Sequence, residues 1–175
     1  MLDTIAGLSY LDKVSAITAA ACHDYDHDGY TNSYHVTFMT DRAIRSNDKA
    51  VQESWHAAES MKILLRMENK FIEDISPEEL KVIRMRITGM ILATDMAGHA
   101  GHIAAFENKI KSKGITKEKN NSHLLLEMNS EGSDQFKQQQ DMLEFLLHSC
   151  DFATFTRKFE TLHDWTYLLF EEFFN

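Results

Sequence analysis

The chain has 175 residues, with 18 basic against 27 acidic side chains and a formal net charge of −9 at pH 7. That balance excludes a protein that coats nucleic acid, which needs surplus Lys and Arg to meet phosphate, and a composition 43% hydrophobic and 26% charged excludes wholesale disorder. No apolar run reaches the roughly 20 residues of a membrane span, residues 1–5 lack the basic start of a secretory signal, and two cysteines, Cys22 and Cys150, suit a reducing, cytoplasmic compartment.

A single proline and seven glycines speak against turn-rich β architecture, and helical spacing dominates from the start. Leu2, Ile5, Leu8, Leu11, Val14, Ile17 and Ala21 form one apolar stripe, predicting a helix that ends near His23. From Asp24 to Asn32, Asp, Gly and Asn become dense and predict turns or caps. A second helix is expected over about 50–67, burying Val51, Ala58, Met61, Leu64 and Leu65. Ser76, Pro77 and Glu79 form a capping box with proline at the first helical position, opening a helix expected to run to about Lys111. Residues 111–133 are polar and predict a surface connection. Ser133 or Asp134 caps the next helix, and Phe159, Leu162, Trp165, Leu169 and Phe173 mark the last. The expectation is an all-α, multi-helix fold occupying residues 1–175 as one domain. Because the final aromatics stop in the middle of a strong apolar period, the C-terminal end reads as a cut edge.

The densest chemistry is His23-Asp24-Tyr25-Asp26-His27-Asp28-Gly29. Imidazole nitrogen and carboxylate oxygen suit Zn, Mn or Mg. Adjacent His23 and Asp24 can share an ion where a helix end kinks into a loop, and His27 can hold an ion-bound water. The competing reading is a polar helix end that merely caps and solvates. Two residues do not close a metal site, and the candidate third ligand is Asp151, in Leu-His-Ser-Cys-Asp at the end of an apolar helix. As a helix-end residue or N-cap, Asp151 has a plain structural alternative. Histidines 35, 123 and 163 read as solvated, His148 as a packing residue, and an Asp95/His99/His102 metal patch is not expected. Met96, the Met61/Met67 pair and the Trp165/Phe173 stripe read as core, and both cysteines as buried.

The run from Ala21 through Ala57, together with Leu92-Ala-Thr-Asp-Met-Ala-Gly-His99, Leu147-His-Ser-Cys-Asp151, Asp164-Trp-Thr and Glu171-Glu-Phe-Phe174, resembles the catalytic domain of the class I cyclic nucleotide phosphodiesterases. The resemblance implies an all-helical HD-type domain with two divalent ions, usually Zn and Mg, with Mn as a further candidate. It implies hydrolysis of cAMP or cGMP to the 5′-monophosphate by a water that the two ions activate. It implies that His23, Asp24 and Asp151 bind the tighter ion, with Asp24 also reaching the second. His27, Glu53 and Thr94 match positions that hold the waters around the ions, and His56 matches another histidine near the site. Glu53 also reads as a first-turn acid placed by the helix dipole, and Thr94 as a satisfied core hydroxyl.

Departures accompany the match. The family's opening His-Asn-x-x-His motif has no counterpart in residues 1–22, which contain no histidine, and its second histidine is the group that protonates the leaving 3′ oxygen. The purine-clamping glutamine and aromatic lie downstream of the Glu-Glu-Phe-Phe stretch. Asp28 stands where proline is common, Ser46 where tyrosine is usual, and Trp55 where histidine is frequent. The chain therefore reads as the central part of a catalytic domain, expected to hydrolyse cyclic nucleotides poorly or not at all when made alone. The alternative is a non-catalytic relic that binds metal or acts by interaction. The expected partner is a cyclic nucleotide; nucleic acid and a membrane span are not expected, and the sequence sets no oligomeric state.

Overall fold

The structure, a computed structural model, describes residues 8–66, 68–69, 74–116 and 133–174. Among them are eight α-helices and no strand: α1 (Tyr10–Cys22), α2 (Asn32–Thr37), α3 (Asp41–Ser46), α4 (Val51–Leu64), α5 (Pro77–Leu92), α6 (His99–Ser112), α7 (Ser133–Asp151) and α8 (Phe159–Phe174). Met67, His123 and most of the 111–133 connection lie outside the described residues. The all-α expectation holds.

The core forms where α1, α4, α5 and α7 meet. Ala16 and Ala19 of α1 lie against Ile83, Ile87, Met90 and Ile91 of α5, with Met61 and Leu64 from α4 and Leu143 and Leu147 from α7. Alanine at the α1 contact lets the two helix backbones approach closely. Ser76 opens α5 as its sequence announces, its hydroxyl accepting from Glu79 N–H while the Glu79 carboxylate accepts from Ser76 N–H.

Three elements differ from the pattern read in the sequence. The interior face of α1 is Asp12, Ser15, Ala16 and Ala19, whereas Ile17 is exposed. The polar members are affordable because Ser15 donates to the Leu11 carbonyl and Asp12 is ion-paired. The helix expected to reach Lys111 stops at Leu92. There the Asp95 carboxylate accepts from Ala97 N–H at 3.0 Å and starts a 3₁₀ turn at Met96–Gly98, after which α6 begins anew. On α4, Ala58 and Leu65 are exposed while Gln52, His56, Ala57 and Ser60 are buried.

A buried ion pair joins the central helices. Arg86 is 1% exposed and donates through Nε to Asp12 Oδ1 at 2.8 Å. Its Nη1 donates to the Phe136 carbonyl (2.9 Å) and to Gln140 Oε1 (3.1 Å), and its Nη2 to Gln139 Oε1 (2.9 Å). The guanidinium lies 3.7 Å over the Phe136 ring. Asp12 Oδ2 meanwhile accepts from the amide and hydroxyl of Ser9, completing the N-terminal box of α1. One salt bridge thus ties α1, α5 and α7 together with every polar atom satisfied, as a charge in a core requires.

Candidate metal centre

The first helix ends at His23, whose Nδ1–H donates to the Ala20 carbonyl at 2.9 Å. This bond caps the helix and turns Nε2 outward. Nε2 then lies 3.2 Å from Asp24 Oδ2 and 3.3 Å from Asp151 Oδ1, the last residue of α7. One donor atom from each of His23, Asp24 and Asp151 falls within 4.8 Å of the other two. The structure thus brings together the three residues expected as ligands, from helix ends far apart in sequence. The Asp151 and Asp24 carboxylates together push the His23 imidazole up to about 11, and the same pairing holds Asp24 below the usual carboxylate range. Two anions around one imidazole make a place that a cation would favour, and a metal ion held there would stand where the His23 Nε2 proton otherwise stands. One nitrogen and two carboxylate oxygens, with the second ring nitrogen anchored to a backbone carbonyl, fit Zn, Mn or Mg.

The loop after Asp24 carries His27. Gly29, at φ +83°, takes a left-handed conformation that favours glycine, and its N–H donates to His27 Nδ1 at 3.0 Å. His27 Nε2 is therefore the protonated nitrogen, 3.8 Å from Glu172 Oε1 of α8, and the ring stacks on His56 at 5.5 Å. His56 is buried and donates Nδ1–H to the Tyr25 carbonyl at 2.7 Å; burial holds its imidazole below the ordinary range.

Glu53, in the first turn of α4, accepts from Asn32 Nδ2 at 2.9 Å. Its carboxyl is pushed upward, first by desolvation and further by the negative charges of Asp95 and Asp24. Glu53 therefore belongs to the same anionic neighbourhood. Thr94 is buried, and its hydroxyl donates to the Ile91 carbonyl at 2.7 Å, which satisfies the donor and leaves oxygen lone pairs to accept.

A polar brace that the sequence reading missed fixes the loop. Gln52 Nε2 donates to Asp28 Oδ1 (2.6 Å) and to the Tyr30 carbonyl (2.7 Å), while its Oε1 accepts from Arg42 Nη1 (2.6 Å). Asn32 Oδ1 accepts from Gln52 N–H at 2.8 Å, so one asparagine positions both Gln52 and Glu53. Arg42 also reaches the Asp26 carbonyl and the Asp28 carboxylate and lies 4.5 Å over the Trp55 ring, whose Nε1–H donates to Asp26. His35, expected to be solvated, is 2% exposed because it is held between Thr40 and Asp28. The only sequence hints were the density of Asp and Asn in the loop and the departures at Asp28 and Trp55.

Trp165 and Phe173 are not core. They are exposed and, with Met96, Phe152, Leu162 and Leu169, wall an apolar cavity of about 460 Å³ that contains Asp151 and Glu172. Cys150 is exposed rather than buried, while Cys22 packs against the core. Asp95 is taken up by its own turn, and no patch joining it to His99 and His102 forms among the described residues.

Fold and cluster together define an all-helical domain with converging imidazole and carboxylate groups beside an apolar cleft. The family model described as 3'5'-cyclic nucleotide phosphodiesterase matches residues 3–175, and the chain belongs to that family. It is 33% identical over 166 residues to the mouse (Mus musculus) high affinity cGMP-specific 3',5'-cyclic phosphodiesterase 9A, covering 95% of this chain and 28% of that protein. To the Drosophila melanogaster dual specificity calcium/calmodulin-dependent 3',5'-cyclic nucleotide phosphodiesterase 1 it is 31% identical over 167 residues, covering 95% of this chain and 18% of that protein. The crystal structure of the phosphodiesterase domain of the RhoPDE fusion protein from the choanoflagellate Salpingoeca rosetta superposes with a TM-score of 0.82 at 28% identity, over 98% of this chain and 50% of that one. The chain spans less than a third of these two curated relatives and half of the solved domain. Among the described residues no helix is long and apolar enough to cross a membrane.

Proposed function

We propose that the protein hydrolyses 3',5'-cyclic nucleotides to 5′-nucleoside monophosphates at the His23–Asp24–Asp151 centre. The observation that carries this reading is the meeting of His23 Nε2 with carboxylate oxygens of Asp24 and Asp151 at 3.2 and 3.3 Å. His23, Asp24 and Asp151 would hold one divalent ion, and Asp24, whose carboxylate is more exposed than that of Asp151, would serve a second. When bound, such ions neutralise the phosphodiester charge and lower the pKa of a water. His27 donates from Nε2, and Glu53 accepts, to orient the attacking water. Thr94 offers oxygen lone pairs to the same hydration shell. Gln52, Asn32 and Arg42 hold the loop so that these groups do not reorganise during reaction. The apolar walls beside Asp151, with Trp165 and Phe173 among them, receive the flat base and exclude water.

An anionic substrate meets a strongly anionic neighbourhood here, where burial and the negative charges of Asp95 and Asp24 raise the cost of ionising Glu53. Catalysis therefore depends on the cations. The test is nucleotide chromatography of cAMP and cGMP incubated with the chain, with and without Zn and Mg. The expected result is slow, cation-dependent release of 5′-monophosphate that Asp24→Asn reduces at least 100-fold. Cation binding with no detectable turnover on either nucleotide overturns catalysis in favour of a non-catalytic ion-binding module.

A further inference from the structure

A second cavity opens between α6 and α7. His102, Phe106 and Lys109 recur on α6 at spacings of four and three residues, so the helix turns all three to one side. That side meets Asp141, Glu144 and Phe145 of α7, and together these residues line a cavity of about 350 Å³. Its aromatic wall is the Phe106–Phe145 pair, with ring centroids 3.7 Å apart and planes 11° from parallel. The Glu144 carboxylate is oriented by Gln140 Nε2, which donates to Oε1 at 2.7 Å. None of the residues lining this cavity belongs to the His23–Asp24–Asp151 cluster or to the apolar cleft beside it. An amine, a carboxyl and an imidazole thus share an enclosed space with a flat apolar wall.

We propose that this cavity is a carbonyl-binding site, in which the Lys109 amine condenses with a compact, neutral aromatic aldehyde to form an imine. A flat ring rests against the Phe106–Phe145 wall, and the volume admits one ring with its substituents. The exposed carboxylate of Asp141 disfavours anionic carbonyl compounds, which narrows the class to neutral ones. Burial first, and then the positive charge of Lys113, hold the Lys109 amine below the ordinary lysine range, although Asp141 draws it the other way. An enclosed setting and a neighbouring cation are the two circumstances that turn a lysine into a nucleophile. Glu144 is tuned in the complementary direction. Burial foremost, and the charge of Asp141, push its carboxyl up against the pull of Gln140, His102 and Arg86. A lysine that sheds its proton beside a carboxyl that keeps one is the pairing imine formation needs.

The step balances without an oxidant or a reductant. The neutral Lys109 nitrogen attacks the carbonyl carbon and forms the C–N bond. The carbonyl electron pair moves to oxygen, which takes the proton that nitrogen sheds. Glu144 gives its proton to the resulting hydroxyl, which leaves as water while the nitrogen lone pair closes the C=N bond. The proton left on the iminium nitrogen then returns to the Glu144 carboxylate, so the protein's acid is restored.

The experiment incubates the full chain near neutral pH with benzaldehyde and sodium cyanoborohydride, which reduces each imine to a stable benzylamine. Peptide mass spectrometry then gives the labelling rate at each lysine. Lys111, exposed and beside Glu107 on the same helix, is the internal reference. Lys109 should be labelled roughly tenfold or more faster than Lys111. Its rate should saturate as benzaldehyde is raised, whereas that of Lys111 should stay linear. Glu144→Gln, with folding checked by circular dichroism, should slow Lys109 severalfold and leave Lys111 unchanged. Equal rates at the two lysines overturn the proposal. So does a Lys109 rate that stays linear in benzaldehyde, because no aldehyde then occupies the cavity before reacting, and an unchanged rate in Glu144→Gln overturns the acid assigned to that residue. The comparison of Lys109 with Lys111 is made within one unaltered chain, so it stands even where the variant does not fold. It involves neither cations nor nucleotides, so it fails or succeeds separately from the hydrolytic reading.

Discussion

Replacing Arg86 with methionine tests the account of the core directly. Methionine keeps much of the side-chain length and adds no charge, so the change strips four hydrogen bonds and the contact with Phe136 while limiting the cavity. Asp12 retains its bonds to Ser9, but its Oδ1 loses its buried cationic donor, and the Gln139 and Gln140 side-chain oxygens and the Phe136 carbonyl each lose one donor. Breaking one side of a buried pair costs about 3–5 kcal/mol. At about 2–4 °C per kcal/mol for a chain of this size, the melting temperature should fall by roughly 6–20 °C. Thermal unfolding followed by far-UV circular dichroism measures the shift, and urea unfolding the free-energy loss. The double variant Asp12→Leu/Arg86→Met should recover most of the loss, because it removes the stranded charge along with its partner. A single variant within about 1 kcal/mol of the parent, or strict additivity in the double variant, would refute the claim that one ion pair organises α1, α5 and α7.

Leu143→Ala, at a fully buried core position, should cost about 2–5 kcal/mol in the same assay. Zinc at 100-fold its dissociation constant should stabilise the parent chain by about 2.7 kcal/mol through the His23–Asp24–Asp151 cluster; calorimetric scans with and without chelator check this, and Asp151→Asn should remove the contribution. For Asp28 desolvation acts upward, but the Gln52 amide, Arg42 and His35 outweigh it and hold its carboxyl below the ordinary range. A depressed carboxylate stabilises above its unfolded pKa and loses that contribution as pH falls through its folded value. The urea midpoint of Asp28→Asn should therefore lie below that of the parent at pH 6 and converge on it in strong acid; a gap unchanged across that range contradicts the assigned brace. Gly29→Ala should cost about 1–3 kcal/mol of backbone strain, because no atom lies within 4 Å of the added Cβ and only the positive φ resists it. Equal midpoints for alanine and glycine would remove that explanation.

What the sequence made legible was local or periodic. The Ser76–Glu79 box and the start of α5 follow from side chains three residues apart, and the His-Asp pair advertises itself by residue type. The α1 face was misassigned because periodicity weighs large apolar residues, whereas helix approach at α5 selects Ala16 and Ala19 and places large side chains on the flanks. Asp12 and Arg86 lie 74 residues apart, and nothing local marks either as interior. Asp95 ends the α5 pattern by a hydrogen bond of its own, which hydrophobic spacing does not register. His35 reads as an ordinary polar residue until Asp28, Arg42 and Gln52 are folded around it. The ligand set was assembled through the family resemblance; without it Asp151 was an even choice between ligand and helix end.

His23 terminates one helix and Asp151 terminates another, and these helices touch through a shared interior in which Ala19 and Leu143 are fully enclosed. The spacing of the two ends is consequently set by packing inside the protein. Enlarging the methyl at position 19 would press the first helix away from α5, and shortening the side chain at position 143 would loosen the packing of α7; either change would alter how closely His23 and Asp151 meet. Hydrocarbon substitutions far from the cluster can then change how its imidazole and carboxylates meet, while those three side chains remain as they were.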